Sequence, residues 1–380
     1  MARRSERLPL AGATPGTTRE VLLHRYGAAG ARPKAYLQAA LHADETPALL
    51  AAHHLTRLLD EAEAKGEIRG EIVLAPYANP IGLAQFAAGR HIGRNRLHTG
   101  VNFNREWPDL FEPAAGKVGG RLTASAEENV ALIRTALLEA VESLEAQDEG
   151  ASLQKILARE AADADIVLDL HCDDESLMHL FLIPAHWPLA ADLAAELGCR
   201  AVLLSEDSGG SSFDEAFSTP WTRLAARFPD HPIPAACLAG TVELRGKADV
   251  DDRLAEADAR ALFRFLQRHS VLAGDPGPAP EPQCEATRLD ACEFVRAPAV
   301  GVVSYEVEPG DRVRRGDVIA WLIDPAADDP TAARQAIEAG TDGLVLSRRG
   351  RRYVAPGMTL CKIVGTETLP KRAGRNLLTD

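Results

Sequence analysis

The run "ADIVLDLHC", residues 164 to 172, limits the folds open to this chain more than any other stretch. It is apolar almost without a break, where a strand with one wet face would alternate. Such a strand belongs inside a sheet covered on both sides, the habit of parallel α/β sheets. "RPKAYLQAAL", "GEIVLAPYANP", "CRAVLLSE" and "ACLAGTVELRG" read as further strands. Helical patterns lie between them. "TPALLAAHHLTRLLDEAEAKG" has Pro47 where a helix start accepts it and Gly66 after its end. "RLTASAEENVALIRTALLEAVESLEAQDEG" offers Ser125 as a cap and Gly150 as a stop. "PLAADLAAELG" and "DVDDRLAEADARALFRFLQRHSVL" follow. Strands alternating with long helices predict an α/β fold, a mixed and largely parallel sheet with helices on both faces.

The pattern changes after Leu272. "AGDPGPAPEPQCEATR" is rich in Pro and reads as a linker. Beyond it come short apolar runs punctuated by Gly and Pro, with "PTAARQAIEAG" as the one helical candidate. The expected layout is a main domain over 1–272, a linker over 273–286, and a small all-β, barrel-sandwich-like module over 287–380.

With 42 basic and 55 acidic residues the formal net charge is -13, which argues against wrapping nucleic acid or docking on an anionic membrane. A local basic pocket for a small anion stays open. No apolar stretch approaches the roughly 18 residues of a membrane span. The start, "MARRSERLPLAGATPGTTRE", lacks the apolar core of a secretory signal. Cys172, Cys199, Cys237, Cys284, Cys292 and Cys361 are scattered without a CxxC pair, as expected of reduced thiols. The cytoplasm is the expected location.

An open α/β sheet places its site at the C-terminal ends of its strands. Three strand ends carry chemistry. In "LHADE", His42 ends a strand and Glu45 opens a helix, and both are competent Zn2+ ligands. The bland alternative is a carboxylate serving the helix dipole. In "DIVLDLHCDDE", His171 leaves the apolar strand and Asp173, Asp174 and Glu175 follow. Those acids read individually as a solvated loop, because burial without cations would be costly. In "GTVELRG", Glu243 is either a general base or one half of an edge-strand ion pair with Arg245. A fourth segment, "GRHIGRNRLHTGVNFNREWPDL", gathers Arg90, Arg94, Arg96, Arg105, Asn102 and Asn104, a set suited to gripping a carboxylate.

Taken in order, "HADE", "NFNREWPDL", "DLHCDDE" and "VELRG" resemble the zinc carboxypeptidase superfold, and more closely the succinylglutamate desuccinylase/aspartoacylase family, over roughly residues 30 to 270. The resemblance implies that His42, Glu45 and His171 bind one Zn2+ per chain and that Glu243 is the general acid/base. It implies that Asn104 and Arg105 hold a substrate carboxylate or polarise the scissile carbonyl. A further family Arg precedes that pair; Arg90, Arg94 and Arg96 are the candidates, and Arg96 is expected to join Asn104 and Arg105 in binding the substrate. The activity so implied is hydrolysis of a small anionic N-acyl amino acid. The alternatives are a metallocarboxypeptidase acting on small peptides and a non-catalytic binding protein on the same fold. The family usually has Gly after the first His, where this chain has Ala43. "SEDSGGSSFDEAFSTPW", Ser205 to Trp221, looks like a mobile substrate loop. His53 and His54, further along the first helix, read as surface and packing residues.

"EPGDRVRRGDVIAWL" and "GTDGLVLSRRGRRYVAPGMTLCKIVG" resemble the half-repeats of a biotinyl/lipoyl-like barrel sandwich. No attachment lysine follows "AWLIDP", so the module reads as a cap or an oligomer-forming unit, and a homo-oligomer is allowed. Its "RRGRR", Arg348 to Arg352, reads as a solvated turn.

Overall fold

The computed structural model describes residues 3–370, 372 and 377. One nine-stranded sheet organises the first three quarters of the chain. In chain order its strands are β1 (Arg4–Pro9), β2 (Glu20–Gly27), β3 (Lys34–Ala39), β4 (Glu71–Ala75), β5 (Ile166–Asp173), β6 (His179–Leu182), β7 (Ala201–Leu204), β8 (Leu238–Gly246) and β9 (Ala286–Arg288). Across the sheet they run β1-β2-β4-β3-β5-β8-β6-β7-β9. Five of the eight neighbouring pairs are parallel; β1-β2, β2-β4 and β8-β6 are antiparallel. This is the mixed, largely parallel sheet that the apolar runs predict. β3 and β4 are buried along their whole length, as continuous apolar strands inside a covered sheet must be.

Helices cover both faces. On one side lie α1 (Pro47–Lys65), α5 (Trp187–Leu197) and α7 (Asp252–Arg268), whose Leu55, Leu193 and Phe265 share one buried cluster with Leu168 and Leu170 of β5. On the other lie α2 (Phe111–Val118), α3 (Ala126–Glu142), α4 (Glu149–Ala161) and α6 (Phe213–Arg227), which pack on Tyr36 and Val167. Pro47 begins α1 and Gly66 ends it at φ 72°, where its N–H closes on the carbonyls of Ala62 and Glu63. Ser125 caps α3 by accepting from Glu128 N. Phe265 has no exposed surface. Phe265→Ala should therefore cost about 3–5 kcal/mol, read as a lower denaturation midpoint at unchanged m-value.

Three local expectations are corrected. Gly150 does not stop α3, which ends at Glu142; it sits in the first turn of α4, whose cap is Asp148. A Cβ at 150 would lie 2.4 Å from the Arg96 guanidinium carbon, the movable end of a flexible side chain. The segment Ser205–Trp221 is not a loop throughout: α6 begins at Phe213 and runs through Pro220, held by buried Phe213, Phe217, Trp221 and Leu224. "PTAARQAIEAG" contains a strand, Arg334–Glu338, paired to Val318–Ile323.

Residues 273–285 form no helix or strand, and Ala286–Arg288 closes the large sheet as β9. The rest is all-β. Cys292–Arg296, Thr359–Val364, Gly343–Arg348 and Arg312–Val313 make one small sheet; Arg334–Glu338, Val318–Ile323, Gly301–Tyr305 and Tyr353–Val354 make the other. They enclose Val303, Ile319, Val345 and Ile363 as a sandwich core. The first of these sheets does not stop at the module. Gly343–Arg348 pairs with Glu175–Ser176, the segment just after β5, in the main domain.

Candidate metal centre

Neighbouring strands deliver the central side chains. β3 ends at Ala39, and the next residue, Ala40, holds φ 57°, a left-handed conformation unusual for a residue with a Cβ. The chain then turns to present His42 and Glu45 ahead of α1. β5 lies beside β3 and brings His171 to the same mouth. His42, Glu45 and His171 are buried, and their ligand-capable atoms lie within 4.8 Å of one another, a cluster able to hold a metal ion. Ala43 takes the place of the expected Gly because its neighbours make room. A Cβ added at Gly82 or at Gly93 would lie 2.8 Å from the Ala43 Cβ.

Hydrogen bonds set the tautomers. His42 Nε2 donates to Asn102 Oδ1 at 2.6 Å, which turns Nδ1 toward Glu45 Oε1 at 3.0 Å. His171 Nε2 donates to Asp169 Oδ2 at 2.8 Å, leaving Nδ1 at 2.8 Å from Glu45 Oε2. Both rings therefore show Nδ1 to one point, with the Glu45 carboxylate between them. Behind Asp169 the chain of contacts continues: Gln38 donates to Asp169 Oδ1 at 2.9 Å, and Tyr36 OH donates to Gln38 at 2.8 Å. Such partners orient a ligand and raise its basicity. Asp169→Asn should weaken metal affinity about 10- to 100-fold, measured by competition with a chromophoric chelator.

The charges follow from burial and neighbours. Burial pushes the His42 imidazole down, and Arg94 adds to that, so the ring is neutral. Burial also penalises the charged His171, but the Asp169 and Glu45 carboxylates outweigh it and hold His171 well above the ordinary histidine value. Burial raises the Glu45 carboxyl, yet the two imidazoles override this and hold it well below the usual range. Of the two histidines, His171 is thus the one that carries charge against Glu45.

Glu243 stands on β8, directly opposite His171 in the parallel register. Its Oε2 is buried without a hydrogen-bond partner. Burial first, and then the Glu45 charge, push its carboxyl up to about 8. The ion pair with Arg245 does not form: β8 is a central strand, and Arg245 turns away to hold Asp258 through two bonds of 3.0 and 2.5 Å.

Among the arginines, Arg94 reaches the cluster. Its Nη1 donates to Glu45 Oε1 at 3.2 Å and lies 3.2 Å from His42 Nδ1. Arg96 does not; its guanidinium lies over the Phe103 ring and against Gly150. Arg90 sits on a short outlying hairpin with His91. Asn104 is buried, with its side-chain Oδ1 accepting from Phe213 N at 2.8 Å and its Nδ2 3.4 Å from His171 Nε2. Arg105 is half-buried; Nη1 donates to the Asn104 carbonyl, and the side chain crosses Gly210, where a Cβ would approach its Cδ to 2.5 Å. Gly210 at φ 84° thus lets the loop before α6 lie flat on Arg105.

Asp173 and Glu175 are not solvated-loop acids, and Arg348 and Arg352 of "RRGRR" are drawn to Glu175, while Gly350 and Arg351 stay exposed at the turn. Lys362 donates to Asp173 at 2.6 Å, while Arg348 and Arg352 grip Glu175 at 2.5 and 2.7 Å. Sequence reading overlooked Asp169, Gln38 and Lys362; it grouped Asn102 with the anion-gripping segment, where the structure makes it the partner of His42 Nε2. Asp169 could have been found, because it lies two residues before His171 on a strand and so shares its face. Lys362 had no such signal; it is 191 residues from His171 and reaches it only through the fold.

Fold and cluster together place the chain among α/β proteins that carry a His–Glu–His set at the mouth of a mixed sheet. The chain belongs to the succinylglutamate desuccinylase/aspartoacylase family, a family of hydrolytic deacylases: residues 31–268 match the Succinylglutamate desuccinylase/Aspartoacylase catalytic domain. A family protein from Shewanella frigidimarina NCIMB 400 is similar at 25% identity and TM-score 0.83, covering 96% of this chain and 97% of its own. Another, from Shewanella amazonensis SB2B, is similar at 25% identity and TM-score 0.84, covering 95% and 98%. The ectoine utilization protein EutE (DoeB) from Ruegeria pomeroyi shares the fold at 16% identity and TM-score 0.66, covering 96% and 95%. No curated protein matches the chain by sequence. Among the described residues, no helix is long and apolar enough to cross a membrane.

Proposed function

We propose that this chain is a zinc-dependent deacylase that hydrolyses the amide bond of a small, anionic N-acyl amino acid. One observation carries the reading: a buried carboxylate, Glu243, with an unpartnered oxygen stands beside two imidazoles and a carboxylate that converge on one point. Two imidazole nitrogens and one carboxylate are a donor set that suits zinc and leaves a coordination position open. His42, Glu45 and His171 would hold it, one ion per chain. When bound, zinc supplies Lewis acidity, which polarises a carbonyl and makes water more acidic.

The protein's own groups do the rest. In the metal-free chain, burial and the Glu45 charge keep the Glu243 carboxyl protonated near neutral pH. With the Glu45 charge offset by a cation held at the cluster, Glu243 Oε2, which has no competing hydrogen bond, could then take a proton from the attacking water and return it to the leaving amine nitrogen. The Arg94 guanidinium stands at the cluster, where it would face the oxygen that gains charge as water adds to the carbonyl. Arg94, and not Arg96, is thus the arginine we place at the reacting centre. Arg105, half-exposed beside Asn104, is the residue we assign to the substrate carboxylate; Asn104 sets its height by tying to α6. The six free cysteines support a reducing, cytoplasmic setting.

A panel of acetyl-, succinyl- and formyl-amino acids, with dipeptides as controls, tests the reading through amine release. Release from the blocked amino acids alone is expected. Cleavage of the dipeptides alone would move the chain to the carboxypeptidases. Arg105→Ala should raise KM about 10- to 100-fold with a smaller change in kcat, the mark of a lost carboxylate contact.

A further inference from the structure

Asp169, His171 and Asp173 alternate along β5 and share one face. Glu243 is in register with His171 on one side and with His179 on the other. Residues in register share a face as well, so His171, Asp173, Glu243 and His179 form one patch at the sheet mouth. Two atoms of that patch, Glu243 Oε2 and His179 Nε2, are buried without hydrogen-bond partners. His179 Nδ1 lies 2.9 Å from the Leu177 carbonyl, which can only accept, so Nδ1 carries the proton and Nε2 offers a lone pair.

The C-terminal module sends Lys362 into this patch. Its ammonium lies 5.4 Å from the centre of the Phe294 ring and donates to Asp173 Oδ2 at 2.6 Å. That bond uses one of the three donors an ammonium has. Through its bond to Asp173, Lys362 places a cation in the patch that Glu243 and His179 share. The same module grips the next residues of the chain. Ser347 and Arg348 pair with Ser176 and Glu175 in the strand register, and Arg348 and Arg352 hold the Glu175 carboxylate.

We propose that Lys362 is a positioning residue for Glu243, so that the C-terminal module is a working wall of the active site and not an appendage. The inference rests on the deacylase reading only for what Glu243 does. The competing account is that Lys362 merely neutralises Asp173. The two separate cleanly in the zinc-loaded full-length chain. Lys362→Met alone leaves Asp173 buried and unpaired and so invites misfolding. The double variant Lys362→Met/Asp173→Asn carries no such charge and is the decisive protein.

If Lys362 positions Glu243, the double variant loses about 10- to 100-fold in kcat with KM within about threefold, because a carboxylate displaced by about 1 Å transfers protons poorly. Lys362→Arg, which keeps a cation on Asp173, recovers kcat to within about fivefold of the parent. Crystal structures supply a readout that needs no substrate. The Glu243 carboxylate should move by about 1 Å or more in the double variant and return in Lys362→Arg. Parental kcat, or an unmoved Glu243, in the double variant overturns the proposal. If the parent hydrolyses no member of the panel, the deacylase reading fails, and the crystallographic arm decides on Lys362 by itself.

Discussion

Glu243→Gln should give a chain that folds, takes up one metal ion and loses about 10²–10⁴-fold in kcat on the proposed N-acyl amino acid substrate. The substitution keeps the shape and removes only the ability to hold a proton at Oε2. None of the three atoms that meet at the cluster belongs to residue 243, so metal stoichiometry by atomic absorption should stay at one per chain. Unchanged turnover would remove Glu243 from the mechanism. A parallel effect on stability has a definite sign. In the metal-free chain, burial and the Glu45 charge lift the Glu243 carboxyl to about 8 from an ordinary 4.5. Between those values the native state holds a proton that the unfolded chain has released, so this group makes stability fall as pH rises through that window. Glu243→Gln has no such carboxyl. Its melting temperature should decline less than that of the parent between about pH 5 and 8.

Much of this was legible in the chain itself, and the reason is local. β3 and β5 announce themselves because strands buried on both faces need unbroken apolar runs. α1 carries its own start and stop in Pro47 and Gly66. α6 was hidden under a Ser- and Gly-rich lead-in and an internal Pro220, although Phe213, Phe217, Trp221 and Leu224 recur at the helical period. Packing of those large side chains on Tyr36 and Val167 overrides the local penalty. Gly150 misled for the opposite reason. It looks like a helix stop, yet it lies in the first turn of the next helix, beneath the Arg96 guanidinium.

The site divides in the same way. His42 and Glu45 are three residues apart at a strand-to-helix junction, and His171 follows an apolar strand, so position along the chain was informative. Which arginine serves the cluster was not. Arg94 and Arg96 are two apart in an irregular loop, and one points to Glu45 while the other lies on Phe103. Nothing in residue type separates them; the approach of Gly93 to the His42–Glu45 turn does. The Gly93 carbonyl accepts from Ala43 N at 3.0 Å, and a Cβ on Gly93 would lie 2.3 Å from Asp44 N. That contact pins residue 94 beside the cluster. Lys362 lies on the far side of the same patch and depends on the docking of a whole module, which no local pattern records.

His42→Ala should strip the centre of its metal and remove activity with it. Four-ligand structural zinc sites bind with roughly 10–16 kcal/mol, so each protein ligand accounts for about 3 kcal/mol, and a three-ligand centre that loses one should weaken about 100-fold or more. Chelation of the parent should abolish turnover, and added zinc should restore it, whereas His42→Ala should stay inactive at zinc concentrations that saturate the parent. The pH dependence has its own direction. A ligand nitrogen must be unprotonated, and His171 is held well above the ordinary histidine value by Asp169 and Glu45. Metal must therefore displace the His171 proton, which predicts release of about one proton on zinc uptake near pH 7 and an affinity that falls as pH is lowered. Calorimetric titrations in two buffers of different ionisation enthalpy measure that proton directly. His54 is the matched control, since its Nε2 faces Asp252 at the start of the neighbouring helix α7 and not the cluster. His54→Ala should leave metal content and kcat where they were; a chain that lost metal there instead, and kept it in His42→Ala, would place the ion elsewhere.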